Sequence, residues 1–181
     1  MKFISKNSRN IFIGLNPTND AKSHKAVFCR DAAFWNLLKM ANIKPFNNVL
    51  PQRIEKLKKS KGSYKNFASA YFNANSKYGF TDLLPNIYNT NSNKVKPKSV
   101  DVENLIKTLA NTDVEKIGLM HSKVIKAFKN ANVIQNYNGN NGYGNIGYVI
   151  INNKKVEVYT MPFPSAPIST KQKVPHYAAM R

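Results

Sequence analysis

The clearest hydrophobic pattern in the chain is a short, almost continuous apolar run from Asn10 to Leu15, which stops at Asn16-Pro17. A run of this length without alternation is typical of a strand buried on both faces of a sheet. The next apolar positions recur at the spacing of one helix face, after Asp31 as a suitable N-cap: Phe34, Leu37, Leu38 and Ala41. The beginning of the chain therefore predicts a buried strand, a loop and a helix.

The second half of the chain repeats this alternation. Ser99 is predicted to cap a helix with the buried face Val102, Leu105, Ile106 and Leu109. Lys116–Met120 is predicted to be a strand, followed by a helix face of Val124, Ile125 and Phe128. Residues 146–151 and 156–161, joined at Asn152-Asn153, predict a hairpin, and a short C-terminal helix follows. Alternating strands and helices predict an α/β protein with a mostly parallel sheet, and the length suits one domain over residues 1–181.

Charge narrows the class of partner. The chain has 28 Lys and Arg against 9 Asp and Glu, a formal net charge of +19. Such a field attracts polyanions, nucleic acid first and an anionic membrane surface second. No apolar run approaches the roughly 20 residues that span a bilayer, and no secretory signal is recognisable. We expect a cytoplasmic, nucleoid-associated protein that is not bound to a membrane.

The residue types that hold metals are scarce. Cys29 is the one cysteine in the chain, which excludes an internal disulfide and a four-cysteine iron–sulfur or zinc site. The three histidines, His24, His121 and His176, are far apart in sequence and lack the spacing of helical metal ligands. We expect chemistry without a metal or a cofactor.

Two proline-containing loops follow predicted strands, at Gly14-Leu15-Asn16-Pro17 and at Pro162-Phe163-Pro164-Ser165. The carboxyl ends of strands in an open α/β sheet are where ligands bind. Proline fixes its own φ and restricts the residue before it, so the Asn16 carboxamide is expected to be held rigidly at a cleft. The alternative is a turn asparagine that bonds only to the nearby backbone.

Four segments occur in an order that resembles the mismatch-specific (thymine/uracil) branch of the uracil-DNA glycosylase superfamily. They are G-L-N-P, F-C-R-D-A-A-F-W-N-L-L, G-F-T-D-L-L and P-F-P-S-A-P-I-S, spread from about Asn10 to Ser169. The family patterns are G-I-N-P-G, a phenylalanine before an R-F-W helix, G-x-T-N-L-V and N-P-S-G-L-S. The resemblance implies a three-layer α/β/α domain, acting as a monomer on DNA. It implies a DNA glycosylase that flips an altered base out of the duplex and hydrolyses its glycosidic bond.

The resemblance also implies roles for individual residues. Asn16 would position and polarise the attacking water. Phe28 would stack on the flipped base, with core packing as the alternative, whereas Phe34 and Trp35 are expected in the core. Asp82 would lie near the edge of the base, with a turn residue as the alternative.

The segment from Pro162 to Ser169 would clamp DNA from the minor-groove side. Pro164 would be part of this DNA-binding loop, and Ser165 with the nearby backbone N–H groups would hold phosphates. Ile168, or Pro167 with a shifted gap, would be the apolar wedge that fills the emptied space. Lysines in a basic stretch and near the second loop are further candidates for phosphate contacts, although lysine runs are usually solvated surface: Lys56, Lys58, Lys59 and Lys96.

Two positions depart from the family pattern. Phe163 stands where relatives have His or Asn, a donor near uracil O2, and Thr18 replaces the glycine after Asn-Pro. His24 is near enough in sequence to substitute as a donor, although a solvated loop histidine is the alternative. Three outcomes stay open: a slow uracil glycosylase, an enzyme for another base, and a catalytically silent DNA-binding relative. An RNA-binding or nucleotide-handling α/β protein is a further alternative.

Overall fold

The computed structural model describes residues 2–28, 32–43, 68, 71–139 and 142–181. The basic stretch that contains Lys56, Lys58 and Lys59 lies outside these described residues, as does Asp31. The strands are β1 (Lys2–Phe3), β2 (Asn10–Gly14), β3 (Tyr78–Asp82), β4 (Lys116–Leu119), β5 (Gly144–Ile151) and β6 (Lys154–Thr160). The helices among the described residues are α1 (Asn19–His24), α2 (Ala32–Met40), α3 (Ser99–Leu109), α4 (Ser122–Asn130) and α5 (Thr170–Ala178). None of these helices is long and apolar enough to cross a bilayer.

The chain is an α/β protein built on a six-stranded mixed sheet with the order β1-β3-β2-β4-β6-β5. The four inner strands run parallel, and the two outer strands pair antiparallel with their neighbours. From β2 the chain moves to β3 on one side and then crosses to β4 on the other side. The strand order therefore reverses between β2 and β4, and such a switch point is the usual ligand-binding crevice of an open α/β sheet.

Both faces of the sheet are buried, which is why β2 reads as a continuous apolar run. Phe12 belongs to a hydrophobic cluster with side chains of α2 and α5, among them Trp35 and Tyr177. Ile11 and Ile13 belong to a second cluster, which contains the apolar faces of α3 and α4. Because alternate residues of a strand point to opposite faces, helices cover the sheet on both sides.

The predicted elements are confirmed in their order and type, with small changes at their ends. The hairpin turn lies at Asn152-Asn153, where both residues have positive φ, as a type I′ turn requires. Ser99 is wrongly predicted as an N-cap. The N-cap is Lys98, whose backbone N–H donates to the carboxylate of Asp101 at 2.7 Å. The Asp101 carboxylate thereby satisfies the backbone N–H of the N-cap residue and lies in the first turn of α3, where a negative charge is favourable.

The loop after β2 is more ordered than the sequence indicated. Thr18 accepts a hydrogen bond from the backbone N–H of Ala21 at 3.1 Å and so caps the short helix α1. His24 is the last residue of this helix and does not lie in a loop, contrary to the alternative considered for it. The pattern of α1 is too short and too polar to be recognised by periodicity, and its cap is a local contact.

Candidate functional site

A cavity of about 920 Å³ opens at the carboxyl ends of the parallel strands. Loops after β2, β3, β4 and β6 supply its walls, so it lies over the switch point between β2 and β4. It is lined by two kinds of side chain. The polar side chains include Asn16, Asp82, His121 and Ser165, and the apolar ones include Phe28, Phe80, Met120, Met161 and Phe163.

The two proline-containing loops meet in this cavity. Asn16 and Ser165, which are distant along the chain, both line it. A sheet whose parallel strands end at one edge brings these loops together, as the predicted strand ends required. The structure therefore places residues of all four similar segments around one space.

Three backbone carbonyl oxygens fix the orientation of the Asn16 carboxamide. Its Nδ2 lies 3.0 Å from the carbonyl oxygen of Pro17, 3.1 Å from that of Ile87 and 2.8 Å from that of Asn89. An amide oxygen in this position would face other acceptors, so the three contacts assign the nitrogen to it. With Nδ2 engaged by the backbone, Oδ1 is the atom of Asn16 that is available as an acceptor in the cavity.

Asp82 is a buried carboxyl at the base of the cavity. It ends β3 and is 4 % exposed, so the alternative of a turn residue is wrong. Desolvation by burial raises the pKa of Asp82 from 3.8 to about 6. A Cβ added to Gly14 would lie 2.6 Å from Oδ1 of Asp82 and 2.9 Å from Cζ of Phe80. Gly14, two residues before Asn16, is thus needed for the close approach of β2 to this carboxyl.

Phe28 packs against the core and also lines the cavity. Its ring stacks on Phe34 with the centroids 3.9 Å apart, and it is partly exposed in the cavity wall. Its φ of 49° is the left-handed conformation that a bulky residue rarely adopts. The Trp35 indole N–H donates to the Phe28 carbonyl at 3.1 Å, and this contact holds the conformation. Phe34 and Trp35 themselves are fully buried, as expected.

Helix α5 holds the second loop from below. The buried Lys173 Nζ donates to the carbonyl of Pro164 at 2.6 Å, and the Tyr177 hydroxyl donates to the carbonyl of Pro162 at 3.0 Å. These residues are four apart on one helix and so share a face. Neither donor was expected from the sequence, since the two contacts join residues that only the fold brings together.

The other predicted residues of the second loop occupy different positions. Phe163 lines the cavity, with its ring centroid 6.3 Å from that of Phe28. Ser165 lies at the exposed rim of the cavity, whereas Pro164 is buried. Ile168 is partly buried beyond the cavity lining, and Lys96 is exposed on the loop that leads to α3.

His121 is a residue of the cavity that the sequence analysis did not select. It lies two residues after the end of β4, across from Phe163, with the two rings at 77° and their centroids 6.3 Å apart. Its Nδ1 accepts a hydrogen bond from the backbone N–H of Lys123 at 3.1 Å. Burial and, secondarily, the charge of Lys123 lower the pKa of His121. The strand-end rule that selected Asn16 would have selected His121 if it had been applied to β4.

No group of three or more His, Cys, Asp and Glu side chains among the described residues is arranged to hold a metal ion. Comparison of the chain with models of known protein families gives no match, and comparison with curated protein sequences gives no significant match either.

Proposed function

We propose that the chain is a metal-independent, monofunctional DNA glycosylase with a three-layer domain of the uracil-DNA glycosylase type. It would excise uracil or another altered base from DNA after flipping the nucleotide out of the duplex. The observation that carries this proposal is the single cavity in which the Asn16 amide, the Phe28 ring and the Asp82 carboxyl meet. These residues come from three separate segments of the resemblance.

The cavity has the size and position that an extruded nucleotide needs. Pockets for small ligands typically measure about 300–1,000 Å³, and this cavity of about 920 Å³ lies near the upper end. A base inside a duplex is out of reach of such a pocket, and extruding it costs a few kcal/mol of stacking and pairing energy. Stacking on an aromatic ring such as Phe28 returns about 1–3 kcal/mol.

The role of Asn16 follows from the orientation of its amide. Its Oδ1 can accept a hydrogen bond from a water molecule and hold that water against the anomeric carbon. The C1′–N bond breaks with its electron pair going to the base, and the water oxygen forms the new bond to C1′. The proton that the water loses passes to solvent, because an amide is a poor base. We therefore expect a slow enzyme whose rate depends on orientation.

Asp82 would read the edge of the extruded base. As an acid it can donate one hydrogen bond and accept another, whereas as a carboxylate it can only accept. Relatives have asparagine here, which always offers both. The preferred base is therefore expected to depend on pH around the Asp82 pKa of about 6.

Contacts to the phosphates would come from the rim of the cavity and from the basic surface. Ser165 is exposed at the rim, and Lys96 is exposed on the loop that leads to α3. The net charge of +19 supplies long-range attraction to DNA. Pro164 would act through the shape of its loop, and Ile168 as a wedge would have to turn outward from its partly buried position.

The proposal is tested by base release under single-turnover conditions. Duplexes that carry uracil, hypoxanthine, xanthine or a thymine mismatch are incubated with excess protein, and alkali-labile abasic sites are counted. At least one duplex is expected to be cleaved after alkali, and Asn16→Ala is expected to abolish this. Asn86→Ala, an exposed loop asparagine outside the cavity lining, is the matched control.

Phe163 favours a second candidate function, a catalytically silent DNA-binding protein. A phenylalanine offers no hydrogen bond where relatives have a donor, and loss of one such donor costs on the order of 10²–10³ in rate. A silent relative would bind duplex DNA with strong salt dependence and release no base from any of the four duplexes. That pair of results would replace the first candidate by the second.

A further inference from the structure

The cavity contains a histidine opposite the position where the family donor is missing. Phe163 occupies that position, and the imidazole of His121 lies edge-on to its ring at a centroid distance of 6.3 Å. His24, which sequence distance suggested as a substitute donor, is not part of the cavity lining. The histidine that could replace the missing donor therefore lies between β4 and α4, and not on the loop after β6.

The backbone determines which nitrogen of His121 carries the proton. Nδ1 accepts the Lys123 backbone N–H at 3.1 Å and caps helix α4. A neutral imidazole that accepts at Nδ1 carries its hydrogen on Nε2. Burial and the nearby charge of Lys123 lower the pKa of His121, which keeps the ring neutral near pH 7. The result is a neutral donor of fixed tautomer in the cavity wall.

We propose that His121 is a catalytic residue that donates its Nε2–H to the carbonyl oxygen of the departing base, in place of the donor that Phe163 lacks. This inference rests on the proposed glycosylase function. When the C1′–N bond breaks, the electron pair delocalises onto the ring oxygens of the base, and water adds to C1′. The hydrogen bond from His121 strengthens as this negative charge develops, and the base anion later takes a proton from solvent.

Neutral imidazole suits this role better than a solvated imidazolium. A donor that is already oriented by its other nitrogen needs no reorganisation when charge develops. Its position after β4 also places it beside the Asn16 loop, since β2 and β4 are hydrogen-bonded neighbours. The same strand pair would thus provide the group that orients water and the group that stabilises the leaving base.

A pair of amide substitutions separates this role from helix capping. Asn keeps an acceptor near Nδ1 and removes the distal donor, whereas Gln keeps a donor near Nε2. His121→Asn is expected to lower the single-turnover rate on the order of 10²–10³-fold with little loss of stability. His121→Gln is expected to recover at least tenfold of that loss. His24→Asn, a histidine outside the cavity, is the control and is expected to keep the wild-type rate.

A second variant places a histidine donor at position 163, across from His121. Phe163→His in the His121→Asn background is expected to raise the rate at least tenfold, because the two rings are neighbours. Nitrogen NMR of the folded wild type is expected to show the Nε2–H tautomer of His121. A wild type that releases base while His121→Asn stays within threefold of it overturns this inference and leaves the glycosylase function standing. A wild type that releases no base overturns both.

Discussion

The loop after β2 and the loop after β6 both contain proline and both line the cavity, but different contacts hold them. In the first loop the tie is the side chain of Asn16 itself, whose Nδ2 is engaged by three backbone carbonyls. In the second loop the ties come from below, from Lys173 and Tyr177 of α5, which donate to the carbonyls of Pro164 and Pro162.

In the first loop the same side chain lines the cavity and holds the loop in place. In the second loop different residues have these two roles. A substitution of Asn16 removes the acceptor in the cavity and the anchor of the loop together. In the second loop, Phe163 and Ser165 line the cavity while the anchoring donors belong to another element. We therefore expect the second loop to tolerate a change of its cavity side chain at little cost in stability.

The largest expected effect concerns the first loop. Asn16→Ala is expected to lower single-turnover base release on the order of 10³-fold or more, since it removes the water-positioning group and loosens the loop. Asn16→Asp is expected to be less stable than Asn16→Ala, because a carboxylate oxygen would face the three carbonyl oxygens. Urea unfolding at pH 7 compares the two variants. Equal stability of both would contradict the position of this side chain against the three carbonyl oxygens.

The next effect concerns the carboxyl beneath the first loop. A pKa of Asp82 raised from 3.8 to about 6 makes the folded state lose stability as pH rises between those values, by roughly 3 kcal/mol. The sign follows because the unfolded chain releases this proton first. Asp82→Asn removes the dependence, so the stability of the variant relative to wild type should increase from pH 4 to pH 6.

Urea unfolding at several pH values measures this difference. Asp20→Asn, which changes a partly buried carboxyl on α1, is the control for the removal of one carboxylate. A pH-independent difference between wild type and Asp82→Asn would contradict the buried position of this carboxyl.

A smaller effect is expected from the tie of the second loop. Lys173→Met leaves the buried Pro164 carbonyl without its donor and should cost about 1–3 kcal/mol of unfolding free energy. It should also weaken DNA binding, because Ser165 follows this carbonyl directly. Lys171→Met on the same helix removes the same charge from an exposed position and serves as the control. If both variants lose the same affinity for DNA, charge and not loop structure is the cause.

The smallest effect is expected when the second of the two hydrogen bonds from α5 to that loop is removed. Tyr177→Phe removes one hydrogen bond to Pro162 but keeps the ring packed against Phe12 and Phe34. We expect a loss of about 1 kcal/mol and a rate of base release within a few-fold of wild type. A loss of activity as large as that of Asn16→Ala would mean that the second loop is no more independent than the first.

The sequence predicts the sheet better than it predicts the cavity. β2 and β4 are recognisable because burial on both faces leaves an apolar run, and the hairpin because Asn152-Asn153 suits positive φ. The position of Asn16 and Ser165 at one edge follows from those strands. These predictions depend on local sequence patterns and not on contacts between distant segments.

The parts that could not be predicted depend on contacts between distant segments. The pair β1–β3 involves a strand of two residues, Lys2–Phe3, which is too short to show a pattern. The ties from Lys173 and Tyr177 and the left-handed backbone of Phe28 likewise appear only when the helices pack. His121 is different, because its position after the buried strand β4 can be recognised from the sequence alone.

NMR mapping can show whether an extruded base enters the cavity between the two loops. Isotope-labelled protein is titrated with a duplex that carries a non-cleavable 2′-fluoro nucleotide of the released base, and separately with the same duplex carrying a normal base pair. We expect the NMR signals of the Asn16 side-chain amide, the His121 ring and the Phe163 backbone amide to shift with the first duplex and not with the second. Identical shifts with both duplexes, confined to lysines outside the cavity, would contradict this expectation.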